Sequence, residues 1–174
     1  IFKFLNASTA DGYNPYRITD SGVEWEQPDP NDPWASIGYW GDHQIIYLLK
    51  LLEFSESFKK KSLNKLLEED LFVFADVPYE IKDFDLLKED PNHSIYYNEE
   101  RNSLILDRFD RIGADGKLVH DSNSRLVRAN LFEKILIPFL VKLSNYVPNG
   151  GIWMNTQRPE WHDANDALAG FGLS

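Results

Sequence analysis

The stretch that decides the fold is YWGDHQIIYLLKLLEF, residues 39–54. After Gly41 the apolar residues fall on most sides of a helical wheel, which predicts a helix over Asp42–Phe54 that is buried nearly all round. Asp42 stands where a side-chain oxygen can cap the start of that helix.

The segment before this helix, residues 6–41, is dense in Gly, Pro, Asp and Asn. This composition predicts a long loop in which a short stretch, Tyr16–Trp25, can pair as strands. Loops of this length inside compact domains are usually functional. The aromatic residues of this one, which suggest a binding surface, are Trp25, Trp34, Tyr39 and Trp40.

The rest of the chain is predicted to be mainly helical, and a length of 174 residues suits a single domain over residues 1–174. The first predicted elements are an amphipathic helix over Ser57–Phe72, a loop and short helix over Ala75–Pro91, and a helical or extended segment over Asn98–Arg108. A turn at Gly113–Gly116 is predicted within a small β hairpin between Phe109 and Val119. The chain is then predicted to form a long helix over Leu126–Tyr146, kinked at Pro138, and a last helix over Asp163–Leu173.

The charge of the chain limits its partners, since 28 acidic and 18 basic residues give a net charge of −10. Nucleic acids and anionic membranes attract basic surfaces, so neither is expected as a partner, whereas neutral sugars are allowed. No apolar run reaches the roughly 18 residues of a membrane span and no signal peptide is visible, which favours a cytoplasmic protein. The start at Ile1 and the single methionine, Met154, indicate a fragment of a larger protein.

A second loop leads into a predicted helix through RPEWHDAND, residues 158–166. Buried carboxylates are costly without partners, so the acidic residues crowded around Trp161 are better explained by chemistry than by packing. Beside an aromatic wall a carboxyl group keeps its proton near neutral pH, as the general acid of a glycosidase must. Asp163 and Glu160 are both candidates for that acid, since spacing does not separate them. The structural alternative is that Asp163 caps the last helix and Asp166 completes a capping box.

The first loop-to-helix junction combines aromatic and polar residues in a similar way. Pyranose rings stack on aromatic faces such as Tyr39 and Trp40, while carboxylates and amides hold their hydroxyl groups. Asp42 and His43 would stand at the mouth of the helix. The structural alternative is that Asp42 is a helix cap and Trp40 a core residue.

Together, Tyr39-Trp40-Gly41-Asp42-His43 and Glu160-Trp161-His162-Asp163-Ala164 resemble two motifs of the cellobiose phosphorylase family and related six-hairpin glycosidases. The resemblance implies a mainly α fold, a partial α/α six-hairpin toroid of paired helices with long functional loops. It implies that Asp42 and Trp161 bind the sugar before the scissile bond and that Asp163 is the general acid. The second family motif reads Asp-Trp-Asn-Asp-Gly, so Glu160, His162 and Ala164 depart from it.

These observations lead us to expect an inverting glycoside hydrolase or glycoside phosphorylase that acts on a glucosyl-type oligosaccharide or glycoside. Asp42 and Arg158 would hold sugar hydroxyls, and Trp40 and Trp161 would form the ring platform. A non-catalytic carbohydrate-binding domain or a structural helical domain is the alternative. No cofactor is expected beyond inorganic phosphate as the co-substrate of a phosphorylase. No metal is expected either, because the four histidines show no close pairing.

Overall fold

The computed structural model describes residues 1–15, 17–25, 41–61, 63–82, 84–89, 95–144, 146–147, 149 and 151–152. About half of these residues are α-helical and the strands are short, which confirms the mainly α class. The helices are α1 (Phe2–Ala7), α2 (Gly41–Phe58), α3 (Asn64–Glu68), α4 (Phe84–Glu89), α5 (Glu99–Ile112) and α6 (Leu131–Ser144), with a 3₁₀ turn at Gly113–Lys117. The strands are β1 (Arg17–Ile18), β2 (Val23–Glu24), β3 (Phe72–Val73), β4 (Tyr79–Ile81), β5 (Ile95–Tyr97), β6 (Arg128–Ala129), β7 (Tyr146–Val147) and β8 (Gly151–Ile152).

Within these ranges the strands form antiparallel pairs: β1 with β2, β3 with β6, β4 with β5, and β7 with β8. The first pair places Arg17 opposite Glu24 and confirms the strand pairing predicted within Tyr16–Trp25. The short helix expected within Ala75–Pro91 is confirmed as α4. The last predicted helix, Asp163–Leu173, lies outside the described residues. No helix in the described part of the chain is long and apolar enough to cross a membrane.

The helix predicted over Asp42–Phe54 is confirmed as α2, which begins at Gly41 and extends to Phe58. Asp42 is therefore the second residue of the helix, within its first turn rather than before it. The prediction of burial nearly all round is wrong. Leu48 is buried, but Phe54 and Phe58 are 69% and 84% exposed. Residues of α1, β3 and α6 pack on the face that contains Leu48, while the apolar residues of the helix lie on several faces.

The amphipathic helix predicted over Ser57–Phe72 is also wrong. The chain leaves α2 at a turn where Lys61 has a φ of 62°, and the Lys61 backbone N–H donates to the Glu56 carboxylate at 2.6 Å. Positive φ values are costly for residues other than glycine, and here a local side-chain acceptor helps to hold the turn. After the five residues of α3 the chain extends into β3, where Phe72 lies opposite Ala129 of β6.

The segment Asn98–Arg108, predicted to be either helical or extended, is helical. The Asn98 side chain caps α5 by accepting a hydrogen bond from the Arg101 backbone N–H at 2.9 Å. The small hairpin predicted between Phe109 and Val119 is wrong, because α5 continues to Ile112 and the glycine-rich turn folds back onto it as a 3₁₀ turn.

The last described helix, α6, begins at Leu131 rather than Leu126 because Arg128 and Ala129 pair with β3 as strand β6. Asn130 and Glu133 form a capping box at its start, with side-chain to backbone distances of 3.0 and 2.9 Å. Pro138 lies inside the helix, as predicted.

The core contains two clusters of buried side chains. One joins the segment after α1 to the β4–β5 pair and contains Tyr13, Val77, Tyr79 and Ile95. The other lies between α1, α2, β3 and α6 and contains Leu5, Leu48, Phe72 and Leu131.

Candidate functional site

Two of the predicted site residues, Asp42 and His43, lie in the first turn of α2. Their side chains are outside the described part of the chain, as are all atoms of Tyr39, Trp40, Arg158, Glu160, Trp161 and Asp163. Their roles in a site stay predictions.

The first turn of α2 has chemical properties of its own. Backbone N–H groups at the start of a helix have no partner within the helix, and the helix dipole makes this end positive. A negative charge is stabilised at such a helix end.

A second group of polar residues forms an ionic network between the residues around β4 and helix α5. Asp76 accepts from Arg101 Nε at 2.9 Å on one carboxylate oxygen and from Arg108 Nη2 at 2.5 Å on the other. Arg101 also reaches Glu80 through Nη1 at 3.2 Å. Each carboxylate is thus neutralised by a guanidinium group that lies on α5.

Glu80 is the most densely bonded acid of this network. Its carboxylate accepts hydrogen bonds from the Tyr96 hydroxyl and, at 2.9 Å, from Asn98 Nδ2. The Tyr96 hydrogen bond, with help from Arg101 and Asn98, lowers the pKa of Glu80 although partial burial acts in the opposite direction. A carboxylate that is held ionised in this way cannot serve as a general acid. We therefore interpret the network as a brace between α5 and the β4–β5 pair.

A buried lysine on α6 was not predicted from the sequence. Lys134 is 2% exposed, and desolvation lowers its pKa to about 7. The spacing of the sequence contained a signal for this burial, because Lys134 falls between Leu131 and Ile135 on the face of the helix that packs into the core. The residue was overlooked because lysines in helices usually extend to solvent.

A shallow groove of about 540 Å³ runs along α2. Its lining residues are Leu49, Leu52, Glu53, Glu56, Ser57, Lys60 and Leu63. Pyranose sites use aromatic faces for stacking, and this lining contains none. The groove therefore does not have the chemistry expected of a sugar subsite.

Within the described ranges, no cluster of three or more histidine or acidic side chains is arranged to hold a metal ion. Comparison of the chain with protein-family models and with curated proteins finds no match.

Proposed function

We propose that this chain is part of a carbohydrate-active enzyme, an inverting glycoside hydrolase or glycoside phosphorylase with a glucosyl-type substrate. The observation that carries the proposal is one arrangement that occurs twice. Trp40 precedes Asp42 by two positions at the start of α2, and Trp161 precedes Asp163 by two positions at the start of a predicted helix. Each pair offers a ring for stacking and a carboxylate for hydroxyl groups or proton transfer.

The described helices are compatible with this proposal. The position of Asp42 and His43 in the first turn of α2 supports a site at the N-terminal end of that helix. The packing of α2 on α6 supports helix pairing, on which an α/α six-hairpin toroid is built.

In the proposed reaction Asp163 gives its proton to the departing glycosidic oxygen, with Glu160 as the alternative donor. Attack at the anomeric carbon comes from the opposite face of the sugar, so a single displacement inverts the configuration. When water attacks, a second carboxylate must act as the base that takes its proton, and the product is a free sugar. When inorganic phosphate attacks, the product is a sugar phosphate.

The remaining residues would bind the sugar ring next to the scissile bond. Trp40 and Trp161 stack on its faces, and Asp42 and Arg158 hold its hydroxyl groups. The same subsite would be lined by Tyr39 and His43.

The test is the substitution Asp163→Asn in the protein, assayed with glucosides in the presence and absence of phosphate. Loss of a general acid typically lowers turnover by about 10²- to 10⁴-fold. Binding of cellobiose, followed through tryptophan fluorescence, should persist in this variant and be lost in Trp161→Phe. Asp110→Asn, on the exposed side of α5, should leave both readouts unchanged.

The other outcomes separate the alternatives. Loss of turnover in Glu160→Gln with full activity in Asp163→Asn would move the acid to Glu160. Sugar binding without turnover of any glucoside would favour a carbohydrate-binding domain, and the absence of both would favour a structural domain.

A further inference from the structure

Lys134 places an amine in the protein interior where three segments meet. Its Nζ donates to the Val73 carbonyl of β3 at 2.8 Å and to the Ser8 carbonyl after α1 at 3.4 Å. It also lies 3.7 Å from the centroid of the Phe74 ring. These contacts satisfy N–H donors, but none of them brings a negative charge close to the amine.

The described charged and titratable groups on the surrounding segments do not supply a negative charge to the amine either. Asp11 accepts from Thr9, Asp76 binds Arg101 and Arg108, and Glu133 accepts from the backbone N–H of Asn130. Lys3 donates to the Thr19 carbonyl, His120 contacts the Leu118 carbonyl, and Asp70 and Arg128 are exposed. Among the described residues no carboxylate forms an ion pair with Lys134. A proton on this amine would therefore create a buried charge that has no ion-pair partner among the described residues.

The segment that covers the amine consists of a short helix and the residues that follow it. Helix α1 has six residues and no side-chain cap at its start, and a helix of this length is not stable alone. It is attached to β3 by the Val73 N–H, which donates to Asn6 Oδ1 at 3.1 Å, by stacking of the Phe2 ring on that of Phe72 at 5.0 Å between centroids, and by burial of Leu5. Ser8 accepts from the Ala75 N–H at 3.1 Å, so the carbonyl that binds Lys134 is also part of this attachment.

We propose that Lys134 is a pH-dependent switch whose neutral amine holds residues 1–9 on β3 and whose protonation detaches that segment, so that the ammonium group reaches water. Detachment is the least costly way to hydrate the charge, because the Ser8 and Val73 carbonyls lie directly on Nζ and a short helix opens more easily than α6 unfolds. The switch does not depend on the proposed glycosidase activity.

The size of the effect follows from linkage between proton binding and opening. The amine has a pKa of about 7 when buried and a reference value of 10.5. Lowering the pH from 9 to 6 should then raise the open fraction on the order of 50- to 100-fold, with the rise levelling off below about pH 7.

Hydrogen–deuterium exchange at several pH values, corrected for intrinsic exchange rates, measures this opening peptide by peptide. In the unmodified protein, protection of residues 5–9 and of 73–75 should fall as the pH is lowered, while protection within α5 should not. Lys134→Met should abolish this pH dependence. Lys117→Met is the matched control, because Lys117 also lies over a ring, that of Phe109 at 4.4 Å. Since Lys117 is exposed, this variant should retain the pH dependence of protection.

A second measurement on the unmodified protein covers the case in which Lys134→Met does not fold. In a ¹³Cε-lysine NMR titration, one lysine resonance should titrate close to pH 7. The proposal is overturned if every lysine titrates above about pH 9.5, the range of ordinary exposed lysines. It is equally overturned if Lys134→Met folds and keeps the same pH-dependent protection.

Discussion

Glu80 shows how a single carboxylate can stabilise this fold in a pH-dependent way. Its hydrogen bonds from Tyr96, Asn98 and Arg101 favour the ionised form and lower its pKa in the folded protein. Its contribution to stability is therefore complete above its unfolded pKa and is lost as the pH falls through the folded value. Glu80→Gln should cost about 1–3 kcal/mol of unfolding free energy at pH 7, and the difference from the unmodified protein should shrink below about pH 4.5. Urea denaturation at a series of pH values measures both quantities.

The control for this prediction is Glu53→Gln. Glu53 pairs with Lys50 at 2.9 Å, but both side chains are largely exposed, and such pairs contribute at most about 1 kcal/mol. A loss in Glu80→Gln that is no larger than in this control, or that does not change with pH, would contradict the role assigned to Glu80.

At the scale of the element, Gly116 determines how closely the 3₁₀ turn packs on α5. A Cβ atom at this position would lie 2.5 Å from the Phe109 backbone nitrogen and 2.6 Å from the Arg108 carbonyl carbon. Those atoms belong to a helix backbone and cannot move easily, so Gly116→Ala must push the turn away. It would also disturb the 2.7 Å hydrogen bond from Arg108 Nε to the Gly116 carbonyl.

Gly116→Ala should lower the free energy of unfolding by about 1–3 kcal/mol, the usual cost of overpacking. The matched control is Gly22→Ala in the turn between β1 and β2, where nothing lies within 4 Å of the added Cβ. Its effect should stay within about 0.5 kcal/mol. Equal urea midpoints for the two variants would show that the turn does not pack on α5 in solution.

The elements that could be predicted from sequence are those with a strong local signal. The apolar run of α2 and the periodicity of α6 identified both helices, and the cap at Asn98 explains why the segment after it is helical. The end of α2 at Lys61 and the extended conformation of Phe72 were not predictable, since they depend on a positive φ angle and on pairing with β6 far along the chain. The hairpin prediction failed because a glycine-rich turn is equally compatible with reversal after a helix.

At the scale of the whole molecule, sequence predicted the class of fold better than the pattern of burial. Apolar content on several faces of α2 predicted burial all round, yet the described contacts of the helix with α1, β3 and α6 leave Phe54 and Phe58 exposed. Which faces are covered depends on tertiary partners, which periodicity does not specify. The same reasoning explains why the burial of Lys134 was not predicted, since it follows from the position of β3 and of the residues after α1. The proposed sugar site remains an inference from residue types at 39–43 and 158–163.

The location of the core can be tested with two phenylalanines of opposite environment. The Phe72 side chain is fully buried, and its ring stacks on that of Phe2 at 5.0 Å, whereas Phe54 is 69% exposed. Phe72→Ala should cost about 3–5 kcal/mol of unfolding free energy and lower the melting temperature by roughly 10 °C, while Phe54→Ala should stay within about 0.5 kcal/mol. Thermal and urea denaturation of both variants over a range of protein concentrations provides the comparison. Equal losses that grow with concentration would mean that the exposed face of α2 is covered by a second copy of the chain in solution, because stability then depends on association.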